Sequence, residues 1–481
     1  AAAGNVLGRL RHAAQDLPGA AAAYTAALEA LPPPGEEGVD EATSAQRAAL
    51  FRNLGSVYHS QGSEQMAFAS YQQALAIAAP ERSAAAAESS PAEPLLLREA
   101  ALTYFKLGLL YESLARGKFE EAAGHAVQCF EFFLEKTGST DTDVLTRLGN
   151  LQIKTLQLEQ AVATYQKALA ADPQLAPVWA NLATAQMKLG LKEDAIHSLE
   201  RASALDGALR APRHLLAALR GGGGDEGTAP ITRADPAYVA ELFDFYSEFY
   251  EDHLRKKLLY TAPRILRQEL RDMYNATFQA LPEEERAFYN NDVLQQLNKS
   301  LTILDFGCGP ALSGAWFLDY SRTLDGVDLS PRMVEKARGK NIYRDVFCAD
   351  GPDFLNSQCD AGAYDLIVAA DVFGYIGDLA ETFQGAARAL APGGHLAFTA
   401  ERATRPAAGG FCLEENARFA YTPAYLEALA ADHGLAVAVK REAALTVERN
   451  EPVPGYLYVL RRPTAAAAAA PEEAEEEGAT A

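Results

Sequence analysis

The chain has 481 residues, 49% hydrophobic and 22% charged, enough for two or three domains with sizeable cores. Its net charge of −21 argues against unaided binding to nucleic acid or an anionic membrane, whose phosphates call for Lys and Arg. No apolar run approaches the roughly 20 residues of a membrane span, so no membrane association and a cytoplasmic location are expected.

Internal repetition governs the first half. Leu148-Gly149, Ala161, Tyr165, Ala168 and Pro173 form one set. Trp179, Leu182-Ala183, Gly190, Ala195, Leu199 and Ala202 form the next, with Gly149 and Ala183 34 residues apart. Small residues at these places let the two helices of a hairpin touch, and aromatics fill the gap between hairpins. Leu7-Gly8, Ala20, Tyr24, Ala27 and Pro32 fit the same template, as do Leu54-Gly55, Tyr58, Ala67, Tyr71 and Ala74. A looser copy has Leu107-Gly108, Tyr111, Phe119 and Ala122, with about two extra residues in its turn. The pattern resembles the tetratricopeptide repeat. That resemblance implies a solenoid over residues 1–220 with a face for extended peptides, and hence a protein or peptide partner. Asn150 and Asn181 stand where the carboxylate-clamp form of the repeat has asparagines, but Thr146 holds its lysine position, so no clamp is expected. Pro32 to Glu41 and Pro80 to Pro94 read as loops. Ala208 to Arg220 reads as a helix closing the stack, and residues 221–230, opening on four glycines, as a flexible linker.

Residues 231–463 form a second domain. Tyr238 to Lys299 is expected to be helical. Strands follow at Leu301–Phe306, Thr323–Val327, Tyr343–Cys348, Tyr364–Ala370 and His395–Thr399, with closing strands at Leu435–Arg441 and Gly455–Arg461. Helices fit between them at Ala311–Tyr320, Pro331–Arg338, Leu379–Leu390 and Tyr421–His433. This alternation argues for a parallel sheet with helices on both faces. Ligands on such sheets bind outside the carboxyl ends of the strands. Asp305, Asp328, Asp350, Asp371 and Glu401 all fall at those ends, a set that suits a ligand with a positive centre and ribose hydroxyls better than a phosphate.

Asp305-Phe306-Gly307-Cys308-Gly309-Pro310 resembles the first motif of class I S-adenosylmethionine-dependent methyltransferases, and the similarity extends over Tyr238 to Arg461. The resemblance implies S-adenosylmethionine as cofactor. Gly307 and Gly309, with Cys308 between them, would pass close to its methionine part, and Asp305 would orient the loop and the amino group. Asp328, 19 residues after Gly309, would accept hydrogen bonds from both ribose hydroxyls. Leu329 or Met333 would touch the adenine, and Asp350 would bind its amino group. Tyr364 to Asp371 matches the fourth motif, Ala370 at its end joining the cofactor contacts, and Leu390-Ala391-Pro392-Gly393-Gly394 matches the turn before the fifth strand. A dinucleotide-binding fold also uses a glycine loop and an acid after the second strand, but its third glycine would fall at Leu312.

Phe243-Asp244 through Tyr250, His253-Leu254 and Pro263 is similar to the leading segment of tetratricopeptide–methyltransferase fusion proteins, and Arg449 to Gly455 to their closing segment. In them a histidine commonly stands at the place of Tyr421. The expected architecture is therefore an N-terminal all-α tetratricopeptide solenoid followed by a C-terminal α/β Rossmann-like methyltransferase sheet. Asp371 is the candidate catalytic group, as a substrate-orienting carboxylate or a base, with helix capping or cofactor binding as its alternatives. Tyr250, His253, Glu401 and Tyr421 are candidates for a lid or for substrate contact. Cys129, Cys308, Cys348, Cys359 and Cys412 are scattered and show no zinc-type spacing, so neither a disulfide framework nor a metal site is expected. Residues 464–481 read as a disordered acidic tail. Two functions stay open: a methyltransferase whose repeats recruit a protein substrate, and an interaction protein whose second domain merely binds the cofactor. A small-molecule acceptor is a further alternative.

Overall fold

A computed structural model describes residues 1–33, 39–78, 94–115, 120–221, 231–247, 261–289, 292–405, 409–448 and 451–464. Most of the expected linker and acidic tail, the loop after Pro80, Phe119, Tyr250, His253 and Arg449-Asn450 lie outside the described residues. The chain divides into two compact units, Ala1–Gly207 and Ala208–Ala481.

The first unit is helical. Its elements are α1 (Ala2–Ala13), α2 (Leu17–Glu29), α3 (Glu41–Ser60), α4 (Glu64–Ala78), α5 (Pro94–Ala115), α6 (Glu120–Thr137), α7 (Thr142–Lys154), α8 (Leu158–Ala171), α9 (Ala176–Leu189) and α10 (Lys192–Leu205). Side-chain caps fix several starts. Asp40 accepts from Thr43 N at 2.8 Å, and Asp141 from Asp143 N at 2.9 Å. Successive helices pack as hairpins because a ring from the second lies on a glycine of the first. A Cβ added to Gly149 would stand 2.5 Å from Tyr165, one on Gly8 2.5 Å from Tyr24, and one on Gly55 2.6 Å from Tyr71. In α9 and α10 those places hold Ala183 and Leu199, both fully buried, so a smaller side chain leaves room for the methyl. The third hairpin departs from the expected register. Gly108 faces Phe130, 22 residues on rather than 16, so the insertion is longer than two residues. The residues packed there include Ala126 and Phe130, and the expected Phe119 lies outside the described residues. Asn150 and Asn181 satisfy the repeats themselves: Asn181 Nδ2 donates to Asn150 Oδ1 at 3.0 Å, as does the Tyr165 hydroxyl at 2.6 Å.

The helix α11 (Arg210–Leu219), expected to close the stack, belongs to the second unit. Ala217 and Ala218 enter that unit's core, and His214 Nε2 lies 3.0 Å from the Ala417 carbonyl. The core is built on a seven-stranded sheet of order β3-β2-β1-β4-β5-β9-β8. Its strands are β1 (Leu301–Phe306), β2 (Ser321–Asp328), β3 (Val346–Cys348), β4 (Tyr364–Ala369), β5 (Leu390–Glu401), β8 (Ala436–Glu448) and β9 (Glu451–Arg461). The first five run parallel, and β9 is antiparallel to both neighbours. Side chains alternate between two buried layers. Leu304, Phe306, Ile367 and Phe398 face one, Ile303, Leu324, Leu366 and Val368 the other. Both faces are covered, which is why the strands read as near-continuous apolar runs.

One layer holds α11, α12 (Pro236–Tyr246) and α17 (Ala380–Ala389), and the other holds α13 (Ala262–Gln279) and α15 (Val293–Leu297). The short α14 (Glu283–Phe288), α16 (Pro331–Gly339) and α18 (Pro423–Asp432) complete the set of labelled helices. The expected helix Ala311–Tyr320 is not regular. Turns lead into one 3-10 turn, Gly314–Phe317, with Ala311 at φ +70°. The expected third strand is shortened to its last three residues because Tyr343 turns inward to Asp305. A two-stranded sheet unforeseen in the sequence pairs β6 (Phe411–Leu413) with β7 (Phe419–Tyr421).

Candidate active site

The sheet order changes direction at β1, which has β2 on one side and β4 on the other. Crevices form at such points, where the chain leaves neighbouring strands toward opposite faces. Here a cleft of about 910 Å³, counted to its open mouth, lies at the carboxyl ends of these strands. Gly307, Cys308, Gly309, Asp328, Leu329, Met333, Asp350, Ala370 and Asp371 all line it. Asp305, Glu401 and Tyr421 do not.

The floor is the loop after β1. Gly307 has φ +71°, and a Cβ there would stand 2.5 Å from Val372 Cγ2. Only glycine meets both the conformation and the close approach. Asp328, at the end of β2, clips this loop: Oδ2 accepts from Gly309 N at 2.9 Å and Oδ1 from Ser330 N at 2.8 Å. Burial pushes its pKa up to about 6, against the pull of those backbone donors. Asp305 lies beneath the loop, 1% exposed, with Oδ2 accepting from the Tyr343 hydroxyl at 2.7 Å. Burial pushes its pKa up to about 6 as well.

The adenine-side candidate Asp350 is met by a residue the sequence did not mark. Arg233 Nη2 stands 2.6 Å from Asp350 Oδ1, and both line the cleft. Arg233 is held there by chain pairing with Gly377, whose φ of +99° lets Thr232 O come where a Cβ would sit, 2.2 Å away. No local signal in the sequence links positions so far apart. The roof is α12, which contributes Pro236, Val239 and Phe243. Phe243 meets Tyr375 edge to face with ring centroids 4.8 Å apart. At the end of α12, Asp244 Oδ1 accepts from Ser330 Oγ at 2.5 Å and from Arg332 N at 3.1 Å, tying the roof to the start of α16.

Asp371 stands at the mouth in the left-handed region, φ +61°, with its amide donating to Thr399 Oγ1 at 2.9 Å. It begins no helix of the capped kind. Glu401 is turned away and pairs with Arg418, Oε1 to Nε 2.5 Å, both less than 10% exposed. Tyr421 is fully buried, its hydroxyl 2.6 Å from Phe373 O and 2.9 Å from Gly377 O. Neither reaches the cleft, so their expected placement as substrate or lid contacts does not match their surroundings.

Residues 264–438 match the family model described as a methyltransferase domain. The chain carries a methyltransferase domain. Residues 51–80, 142–175 and 176–208 match the tetratricopeptide repeat model. An uncharacterized methyltransferase of Schizosaccharomyces pombe is 30% identical over 105 residues, 20% of this chain and 37% of that protein. The chain thus spans little more than a third of the length of that relative. A solved S-adenosylmethionine-dependent methyltransferase from Methanosarcina mazei is 15% identical, covers 35% of this chain and 95% of its own, and superposes with a TM-score of 0.30. YrrB, a tetratricopeptide protein with an unusual peptide-binding site, is 16% identical and covers 44% of this chain and 89% of its own, with a TM-score of 0.31.

The methyltransferase domain's cofactor, S-adenosylmethionine, fits the residues present. The Asp328 carboxylate faces the cleft at the end of β2, and its pocket is apolar enough to raise its pKa. Ser313 lines the same wall, and its buried hydroxyl makes no well-formed hydrogen bond. Met333, Leu329, Ala349 and Pro352 supply the apolar surface a purine needs. Among the described residues no group of three or more His, Cys, Asp or Glu could hold a metal ion, and no helix is long and apolar enough to cross a membrane.

Proposed function

We propose that the chain transfers a methyl group from S-adenosylmethionine to a protein that its tetratricopeptide repeats hold. Asp328 carries the reading, because its carboxylate is the acid at the end of the second strand and is braced by two backbone amides. In this reading Asp328 takes the ribose hydroxyls, and the backbone of Gly307 to Gly309 follows the methionine part. Leu329 and Met333 hold the adenine ring. Asp350, kept in place by Arg233, receives the adenine amino group.

The cofactor, when bound, supplies a methyl group already made electrophilic by its sulfonium. The chain's residues then have three tasks. Phe243 and Tyr375 screen the cleft from water. Val372 and Ile376 shape the way in for the acceptor. Asp371 Oδ receives the proton of an acceptor nucleophile that arrives protonated, or aligns one that does not. Alignment alone removes several kcal/mol of the barrier.

The test uses radiolabelled cofactor. Purified full-length chain is incubated with a cell lysate, and label is followed into protein and into small molecules. Label in protein is expected, and less of it when residues 1–207 are competed with an excess of the separately added repeats. Label confined to small molecules would overturn the protein-acceptor reading.

A further inference from the structure

A charged pair is buried directly behind the cleft wall. Arg418, just before β7, and Glu401, at the end of β5, have side chains only 8% and 7% exposed, with Arg418 Nε 2.5 Å from Glu401 Oε1. Apolar side chains of similar volume often serve stability as well as such a pair or better, so stability alone is a weak reason for it. Asn416, in the loop between β6 and β7, braces both members. Its Nδ2 stands 3.3 Å from Glu401 Oε2, and its Oδ1 accepts from Arg418 N at 3.0 Å. The arrangement holds one guanidinium in one place.

That place adjoins Tyr375. The Arg418 stem runs along Gly374, where an added Cβ would stand 3.4 Å from Arg418 Cβ and 3.6 Å from its Cδ. The Arg418 side chain shares a hydrogen bond with the Tyr375 hydroxyl, and Tyr375 lines the cleft together with Asp371, Val372 and Ile376. A guanidinium carries only donors, so the hydroxyl accepts from it and turns its own proton elsewhere. Burial raises the pKa of this hydroxyl, against the pull of Arg418 and with the help of the Asp371 charge, so at neutral pH it is a donor and not a base. The ring is held from the other side by Phe243, edge to face at 4.8 Å. A neutral donor fixed on two sides and set near a carboxylate suits an acceptor that has a lone pair close to its nucleophilic atom.

We infer that Tyr375 Oη donates a hydrogen bond to the methyl acceptor, and that Arg418 and Glu401 are positioning residues that act through this hydroxyl. The acceptor so recognised carries an oxygen or nitrogen lone pair beside the atom that is methylated, as an amide, a carboxyl or a hydroxyl-bearing group does. The inference rests on the reading that the chain transfers methyl groups, and it holds for a protein or a small-molecule acceptor alike. Glu401, the strand-end acid that misses the cleft, thereby acts on it through two side chains.

Tyr375→Phe tests the hydroxyl alone, because the ring and its contact with Phe243 remain. Arg418→Met with Glu401→Leu removes the pair without leaving a single buried charge. Purified full-length chains receive saturating radiolabelled S-adenosylmethionine and a dilution series of cell lysate. The initial rate of label transfer is taken per unit of lysate and scaled to the folded fraction from a melting curve. Isothermal titration gives cofactor affinity. Tyr375→Phe should lower the transfer slope about tenfold while cofactor affinity stays within about twofold of wild type. The double variant should fall by the same factor. Adding Tyr375→Phe to it should cost nothing more, since groups that act through one hydroxyl are not additive. Unchanged transfer in Tyr375→Phe, a further tenfold fall in the triple variant, or a loss of cofactor affinity that matches the loss of transfer refutes the inference. Wild type that labels nothing overturns the methyl-transfer reading and this inference with it. Label confined to small molecules overturns only the protein acceptor, and the same comparison of variants then decides the role of Tyr375.

Discussion

Replacing Asp328 by alanine should strike cofactor binding harder than it strikes folding. In the free protein its two oxygens accept Gly309 N at 2.9 Å and Ser330 N at 2.8 Å. In the proposed complex they would also take the ribose hydroxyls. A hydrogen bond to a charged group contributes about 1.5–3 kcal/mol, so losing two to the ligand costs about 3–4 kcal/mol at the lower end of that range. That is a loss of roughly 10²–10³-fold in affinity. Asp328→Asn keeps one acceptor oxygen and should lose about tenfold. Isothermal titration with S-adenosylmethionine measures both.

The pH dependence supplies a second reading of the same residue. Burial raises Asp328 from 3.8 to about 6, so the carboxylate that ribose needs becomes protonated below that pH. Affinity should fall as pH drops through about 6, and Asp328→Asn should flatten the curve. The stability effect runs the other way. Asp305 and Asp328 both have folded pKa values above their unfolded ones, so the folded state binds protons more readily. Their burial costs stability above about pH 6, and that cost is relieved as pH falls toward 4. A loss of less than threefold in Asp328→Ala with an unchanged melting temperature, or flat affinity between pH 5 and 7, would refute the reasoning.

Gly307→Ala should lower the melting temperature by several degrees and weaken cofactor binding at least tenfold. It forces a side chain into φ +71° at about 1–2 kcal/mol and places a Cβ 2.5 Å from Val372 Cγ2. Adding Val372→Ala should recover the steric share alone, which differential scanning calorimetry of the two variants resolves. Tyr421→Phe removes a buried hydroxyl from Phe373 O and Gly377 O, so thermal unfolding should show a loss of about 1–3 kcal/mol with cofactor affinity unchanged. A fully stable Tyr421→Phe that no longer transfers methyl groups would return this tyrosine to the chemistry.

What the sequence disclosed was local or periodic. Gly8 with Tyr24, Gly55 with Tyr71 and Gly149 with Tyr165 each sit 16 residues apart, a regularity visible without coordinates. The acids at strand ends stood out because each closes a short apolar run. The errors have a common source in distant partners. Glu401 reads as a strand-end acid but is claimed by Arg418. Asp350 lines the cleft where a strand-end acid should, and only its partner Arg233 went unmarked. Tyr343 reads as strand, yet its hydroxyl is drawn to Asp305. In the third hairpin, an insertion displaced the template, and Gly108 found Phe130 instead of a nearer ring. The helix Arg210–Leu219 carries no mark of which unit it joins, since His214 and Ala417 are far apart in sequence.

The irregular path from Ala311 to Phe317 has a bearing on ligand choice. A long helix beginning at the loop would sum its peptide dipoles into a partial positive charge aimed at the ligand, the arrangement that attracts pyrophosphate. Here the helix is replaced by turns and a single 3-10 turn, and carboxylates flank the path, Asp328 at Gly309 N and Asp305 beside Gly314. The loop thus offers a cation-tolerant field to whatever enters. A sulfonium ligand benefits from it, whereas a nicotinamide dinucleotide, with two phosphates to place, would be turned away before any contact with its rings is made.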